Sequence, residues 1–465
     1  MTSDEEGFPT AAHAVPLLAH AGRLEFVARQ KAPHVNGELS AKPTEGIPCQ
    51  SPPNDQQEEN AMISEYARRV LNDPARIARR DEWLRRLACV FDSKPDAYTD
   101  RYLFTILGHT WTPPGWFHET GRLSPGELKA SLDALMDSLP RIGAEAWNRR
   151  LGYYRDTMRS SRAVETRDGT FVEVRPLVYT EPERWVEESL ELMAQADECR
   201  ENRFAPDLVA ADLYSVHFID RIFGANVYFK DGQWNAEYLK TPVGTLTFPD
   251  LDRSETWSLA RRAAGAFLAA GVKAPLFAMP TLSSALNILV NLYGEEGLVA
   301  MMEDEAAARH DLKIINDLIR TLHRWFREHI PLGQLQAVAS DGRAQPPGAG
   351  QLCGCTTQLL SGALYRDFIM PLDDALLGDY PRGGMIHLCG AHTQHMPAFR
   401  EMRYLRAVQV NDRASWDLAT YLEGLRDDQV VYVCPCPEMP VERILDVSGG
   451  RRVVLVDRVA PEKKA

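Results

Sequence analysis

From about residue 205 onward, short apolar runs alternate with longer stretches whose apolar residues recur at three- and four-residue steps. The runs read as strands at Leu208–Tyr214, Pro275–Ala278, Leu335–Ser340, Gly384–Leu388, Ala407–Val410, Val430–Val433 and Val453–Val456. Several are short and rich in Val or Ile, the texture of strands covered on both faces. Amphipathic helices are predicted between them at Trp257–Ala270, Glu303–His329, Ser361–Leu377 and Ser415–Leu425. A repeated strand-then-helix order predicts an α/β fold with a parallel sheet, and about eight such units close a (β/α)8 TIM barrel.

Upstream the pattern differs. Residues 61–204 carry helical periodicity, as in AMISEYARRVLNDPARIARRDEWLRRLACVF and SPGELKASLDALMDSLPRIGAEAWNRRLGYYRDTM, and predict an N-terminal helical extension. Ser124-Pro125-Gly126-Glu127 has the N-cap, first-turn proline and acid of a capping box. Residues 1–60 lack apolar periodicity and are rich in Pro, Gly, Gln, Asn and charge, which predicts a disordered tail. The barrel is expected over 205–465.

Composition narrows the function classes. The chain has 465 residues, 45% hydrophobic, with a formal charge of −13. A net negative field without a basic stripe argues against a nucleic-acid partner, and the Lys/Arg residues of 67–86 alternate with Leu, Val and Trp as a solvated helix face does. No run approaches the roughly 20 apolar residues that span a bilayer. The acidic start MTSDEEGFPT is unlike a secretory signal, so a cytoplasmic protein with no membrane partner is expected. Its eight cysteines are then read as core residues, metal ligands or catalytic thiols rather than disulfides.

In a barrel the chemistry sits at the carboxyl ends of strands. There the sequence places Asp341, His387 with Cys389, Asn411 with Asp412, and Cys434 with Cys436. Cys353 and Cys355 follow a Pro/Gly-rich loop. Residues two apart in extended chain face the same way, so His387/Cys389, Cys353/Cys355 and Cys434/Cys436 can each aim two soft ligands at one point. His387 and Cys389 with a thiolate from Cys434 or Cys436 would make an open, three-ligand zinc site. Cys89 reads as core, Cys199 as surface, and His323 and His329 as structural. His392 and His395 stand as second-layer or substrate-side candidates. There is no Walker loop, nucleophile elbow, HExxH or dinucleotide fingerprint.

These residues also carry a resemblance. IHLCGAHTQHMPAF preceded by GALYRDFIMPLDDAL, with SSALNILVNLYGEEGLVAMMEDE and DLYSVHFIDRIFGANVYF upstream, resembles the uroporphyrinogen-decarboxylase-like superfamily over about 205–460. The resemblance implies the barrel and one of two chemistries. Methyltransferase relatives, which move methyl groups between corrinoid proteins and thiols, hold zinc by an H-x-C pair and a later cysteine. His387 and Cys389 match the pair; Cys434 or Cys436 would supply the third ligand, sooner after the pair than in the family. Asp341, Asn411 and Asp412 would then orient a small-molecule substrate or act as acid/base groups. The decarboxylases need no metal and use an arginine-rich motif that this sequence lacks; Arg366, Arg382 or Arg406 would have to anchor the carboxylates. A third reading is a non-catalytic barrel that binds a corrinoid or tetrapyrrole.

Overall fold

A computed structural model describes residues 63–92, 104–107, 162–165, 171–174, 177–195, 208–230, 233–337, 344–448 and 453–456. The tail (1–60), the Ser124 capping box, Asp341, Cys49 and Cys199 lie outside the described residues.

Thirteen strands are described: β1 (Phe104–Leu107), β2 (Arg162–Glu165), β3 (Phe171–Val174), β4 (Leu208–Ala210), β5 (Val227–Lys230), β6 (Gln233–Ala236), β7 (Leu276–Ala278), β8 (Leu335–Gln336), β9 (Gly350–Cys353), β10 (Gly384–Cys389), β11 (Leu405–Asn411), β12 (Val430–Val433) and β13 (Val453–Val456). Two sheets are wholly parallel, one ordered β4-β7-β8 and the other β1-β13-β12-β11-β10-β9. The fold is therefore α/β, with parallel sheets and helices between successive strands. β4, β7, β9 and β12 are buried along their whole length, which for β4, β7 and β12 matches their unbroken apolar text.

Eight parallel strands, β4 and β7 to β13, follow one another in the order a barrel requires, but the described ladders leave them in two sheets. Between β8 and β9 the link is made by side chains. Gln336 bonds the backbone N–H and carbonyl of Gln345 at 3.0 and 3.1 Å, and the Gln345 amide donates to Gly350 O at 2.9 Å. At the other edge β13 pairs with β1, from the upstream segment. The region read as helical extension thus contributes a sheet strand and the antiparallel hairpin β2–β3 as well as helices.

The described upstream helices are Glu65–Leu71, Pro74–Asp92 and Pro182–Gln195. The first two were one helical run by periodicity; Asn72-Asp73-Pro74 divides them, because proline favours a helix start over a helix interior. Downstream, Glu255–Ala269, Ala285–Tyr293 and Glu305–His329 each begin at a side chain that accepts from the first turn: Ser254, Ser284 and Asp304. The last buries Ala308, Leu312, Ile315, Ile319, Leu322 and Phe326, its one apolar stripe. His323 lies on that stripe, bonded through Nδ1 to the Tyr380 hydroxyl, and burial lowers its pKa to about 3. No helix among the described residues is long and apolar enough to cross a membrane.

A π turn at Tyr365–Ile369 leads into helix Met370–Gly378, and a buried pair joins the two. The Tyr365 hydroxyl donates to Asp373 at 3.0 Å. Burial pushes the Asp373 carboxyl up to about 7, the Tyr365 bond pulls it back, and the neighbouring Asp374 raises it again. Because this pKa stands above the ordinary value of 3.8, the group's contribution to stability is complete below about pH 4 and is lost as pH rises through 7. Asp373→Asn should therefore be more stable than the parent at pH 8, by on the order of a few kcal/mol, and no more stable at pH 4. Thermal melts at the two pH values measure it; a gap of equal size at both would remove burial of the charge as the cause.

Candidate metal centre

β10 has the text Gly-Met-Ile-His-Leu-Cys, and alternation places His387 and Cys389 on one face. It lies between β9 and β11, with His387 opposite Gln409 and Cys389 opposite Asn411. Past β9 the chain turns at Gly354, whose N–H donates to His387 O at 2.8 Å, and enters a 3-10 turn at Cys355–Leu359. That turn brings Cys355 to β10. The donor atoms of Cys355, His387 and Cys389 all lie within 4.8 Å of one another.

Within the cluster, Cys389 Sγ stands 3.2 Å from His387 Nε2. Cys355 and His387 are buried, whereas Cys389 is partly exposed, so the cluster is closed on its inner side and open on one outer side. The other imidazole nitrogen, Nδ1, donates to Gln409 Oε1. Gln409 is itself buried, and its Nε2 donates to Cys434 Sγ at 3.1 Å. With the Nδ1 proton committed to an amide oxygen, the Nε2 lone pair faces the two sulfurs, which is the tautomer a metal ligand requires.

Around this cluster the loop after β10 is fixed by two further histidines. His392 Nε2 meets Cys389 O at 2.6 Å and its Nδ1 meets the Thr357 hydroxyl at 3.0 Å. Burial lowers its pKa to about 4 against the pull of the Cys389 carbonyl, so it is neutral at pH 7. His395 Nε2 donates to Thr357 O at 2.8 Å, and burial lowers its pKa too. Gly390 has φ +87°, and an added Cβ there would fall 2.0 Å from Gln358 Oε1, so the turn that follows Cys389 needs glycine.

The structure brings His387 and Cys389 together and adds Cys355. Cys434 is tied to Gln409 instead, and Cys436 closes a tight turn with Met439 at 3.2 Å; neither is in the cluster. Asn411 reaches toward Cys389 Sγ at 3.9 Å and bonds Asp412 at 3.2 Å. Asp412, exposed at the end of β11, has φ 49°, a left-handed backbone that turns its chain at the mouth of the site. Asp341 lies outside the described residues. Arg382 and Arg406 sit at the amino ends of β10 and β11, opposite the cluster, with Arg382 paired to Asp92 and Arg406 bonded to Phe91 O at 2.8 Å. Arg366 pairs with Glu401 at 3.0 Å.

Sequence reasoning passed over Gln409 and did not choose Cys355. The Cys353-x-Cys355 spacing pointed to Cys355, but the same-face rule holds only inside a strand, and β9 ends at Cys353. Gln409→Leu should weaken metal binding about 10- to 100-fold while Gln409→Glu, which keeps an acceptor for Nδ1, stays near the parent. Competition against a chelating dye reads both; equal affinity for Gln409→Leu and the parent would remove Gln409 from the site.

No family model matches this sequence, and no curated protein does. Among solved structures, a methyltransferase from Methanosarcina mazei is matched at 13% identity and a TM-score of 0.43, over 62% of this chain and 82% of that one.

Proposed function

We propose that this chain is a zinc enzyme that transfers a methyl group to or from a small thiol, within a (β/α)8 barrel formed by closure of its two parallel sheets. The observation that carries the reading is the group Cys355, His387 and Cys389 at the carboxyl end of parallel strands. Two sulfurs and an imidazole are the donor set zinc prefers, and three ligands with one open side are the form of a catalytic zinc site. Cys355, His387 and Cys389 would hold the ion, which when bound lowers the pKa of a substrate thiol so that it is a nucleophile near neutral pH.

The chain's own groups do the rest. Gln409 orients His387, and His392 with Thr357 holds the Cys389 carbonyl and the loop beyond it. Asn411, beside Cys389, and Asp412 would orient the substrate. The reaction is RS–H + CH3–X → RS–CH3 + X⁻ + H⁺, with the methyl donor a corrinoid carried on a partner protein. Elemental analysis of the purified chain should find about one zinc per molecule, and methylcobalamin with 2-mercaptoethanol should be consumed together. Folded protein that takes up no zinc would end this reading; zinc without turnover would leave a metal-binding barrel that does not catalyse.

A further inference from the structure

Thiol methylation releases a proton, and the histidines around the cluster are poorly placed to receive it. His387 has Nδ1 committed to Gln409 and Nε2 turned to the sulfurs. His392 is engaged at both nitrogens, and His395 is fully buried. Among the described residues, His217 also stands at the carboxyl end of the parallel strands. After β4 the chain passes through two consecutive left-handed residues, Tyr214 (φ 55°) and Ser215 (φ 51°), into a 3-10 turn that ends at His217.

Non-glycine residues in that region cost on the order of 1–2 kcal/mol each, so the surroundings must hold them. They do: the Tyr214 ring packs edge-on against Tyr179 and Trp234, and its N–H donates to the Tyr179 hydroxyl at 3.1 Å.

The result is a positioned imidazole. His217 Nδ1 lies 2.6 Å from Asp220 Oδ2, which also accepts from Asn291 Nδ2 at 2.9 Å. Asp220 is completely buried, and its Oδ1 has no partner among the described residues. Nδ1 is thus turned to a carboxyl group that water cannot reach, whose pKa burial raises and the bonds from His217 and Asn291 pull back. His217 Nε2 is left, on a side chain 14% exposed, without a partner among the described residues. A carboxylate, an imidazole and an open outer nitrogen form the arrangement by which proteins make a histidine a proton acceptor.

One helix ties this dyad to the metal cluster. Asn291, which holds Asp220, and Asn287, which accepts from Thr356 N at 3.1 Å, are four residues apart on helix Ala285–Tyr293. They share a face and lie about 6 Å apart along the axis. Thr356 follows Cys355 directly. The helix that steadies the Cys355 turn thus also steadies Asp220.

We propose that His217, positioned by Asp220 and Asn291, takes up the proton that leaves the thiol at this site, an inference that rests on the thiol-methylation reading. The S–H bond breaks and its proton is taken up at His217 Nε2. The S–C bond forms as the C–X bond breaks, and X leaves with the electron pair. In the reverse direction His217 returns the proton to the thiol sulfur. Asp220 touches no reacting atom; it holds the tautomer.

Two measurements on the full chain, loaded with zinc, test the assignment. With methylcobalamin and 2-mercaptoethanol, His217→Ala should keep its metal, melt lower because buried Asp220 loses a partner, and, assayed well below that melt, lose kcat by about 10²- to 10⁴-fold with KM little changed. Added imidazole should restore part of that loss in His217→Ala and none in Cys389→Ala. A kcat within threefold of the parent would overturn the proposal. The second measurement needs no turnover: carbethoxylation followed by peptide mapping. His217 should react at least as fast as the more exposed His310 and His329, and at least fivefold more slowly in Asp220→Asn. A His217 rate indifferent to Asp220→Asn would overturn the dyad even if the chain proved not to methylate thiols. Absence of turnover in the parent with the carbethoxylation pattern intact would instead count against the methyl-transfer reading.

Discussion

Cys389→Ala, His387→Ala and Cys355→Ala should each leave the folded protein with less than a tenth of an equivalent of zinc after dialysis against a weak chelator. Cys434→Ser and Cys436→Ser should retain it. The basis is the donor geometry: the first three residues put their ligand atoms within 4.8 Å of one another, and the other two are not in that group. Structural zinc sites contribute about 10–16 kcal/mol of apparent binding energy, so one of three protein ligands accounts for several orders of magnitude in affinity. Elemental analysis with a circular-dichroism check of folding reads the series. Zinc lost in Cys434→Ser but kept in Cys355→Ala would move the third ligand to β12's end and discard the Cys355 assignment. Cys434→Ser keeps an acceptor for the Gln409 N–H that holds the amide oxygen turned to His387, so its zinc affinity should stay near the parent's.

How much of this was legible beforehand depends on which physical signal each residue leaves in the text. The seven strands read from apolar runs correspond to described strands, with ends shifted by a few residues, because Val/Ile-rich segments buried on both faces have few alternatives. β9 was missed. Gly-Gln-Leu-Cys has no β-branched residue and follows Pro-Pro-Gly-Ala, which reads as loop. What makes it a strand is its neighbour: Gly350 and Gly384 sit opposite each other, and an added Cβ on Gly384 would lie 2.3 Å from Gly350 O. Two glycines permit that approach, and nothing local announces it.

The same distinction separates the ligands. His387 and Cys389 share one strand, so alternation alone pairs them. Cys355 joins them only because the chain turns at Gly354, and Gln409 only because the β10–β11 register sets it opposite His387. Val-Gln-Val reads as a half-exposed strand; the buried Gln is explained by its two polar partners, which lie 22 and 25 residues away. Ring closure is a third case, since it depends on pairing between strands far apart in sequence, and the upstream β1 occupies the edge of β13.

Asp311→Ala should destabilise the protein by about 3–5 kcal/mol without changing the zinc affinity of the molecules that remain folded. Asp311 is fully buried on helix Glu305–His329 and accepts from Gly244 N at 2.8 Å, Leu246 N at 3.0 Å and the Tyr293 hydroxyl at 2.8 Å, with His310 Nδ1 at 2.9 Å. Burial, and then the bond to Asp311, push the Tyr293 hydroxyl well above its ordinary pKa, so it stays a donor. One carboxylate thus fastens the 237–250 segment to two helices. Alanine leaves the Leu246 N–H and the Tyr293 hydroxyl buried without an acceptor, and leaving such groups unmet costs more than the bonds contribute. Asparagine keeps one oxygen but turns an N–H2 toward a backbone donor, so Asp311→Asn should lose most of the same stability. Tm should fall by roughly 5–10 °C in either variant. Helix Ala285–Tyr293 carries both Tyr293 and Asn287, and it reaches the Cys355 turn through Asn287 at the opposite end from the lesion. Metal affinity measured well below the melt should therefore match the parent. A parent-like Tm for Asp311→Ala would show that water or another donor set already serves these groups, and the anchoring role would be withdrawn.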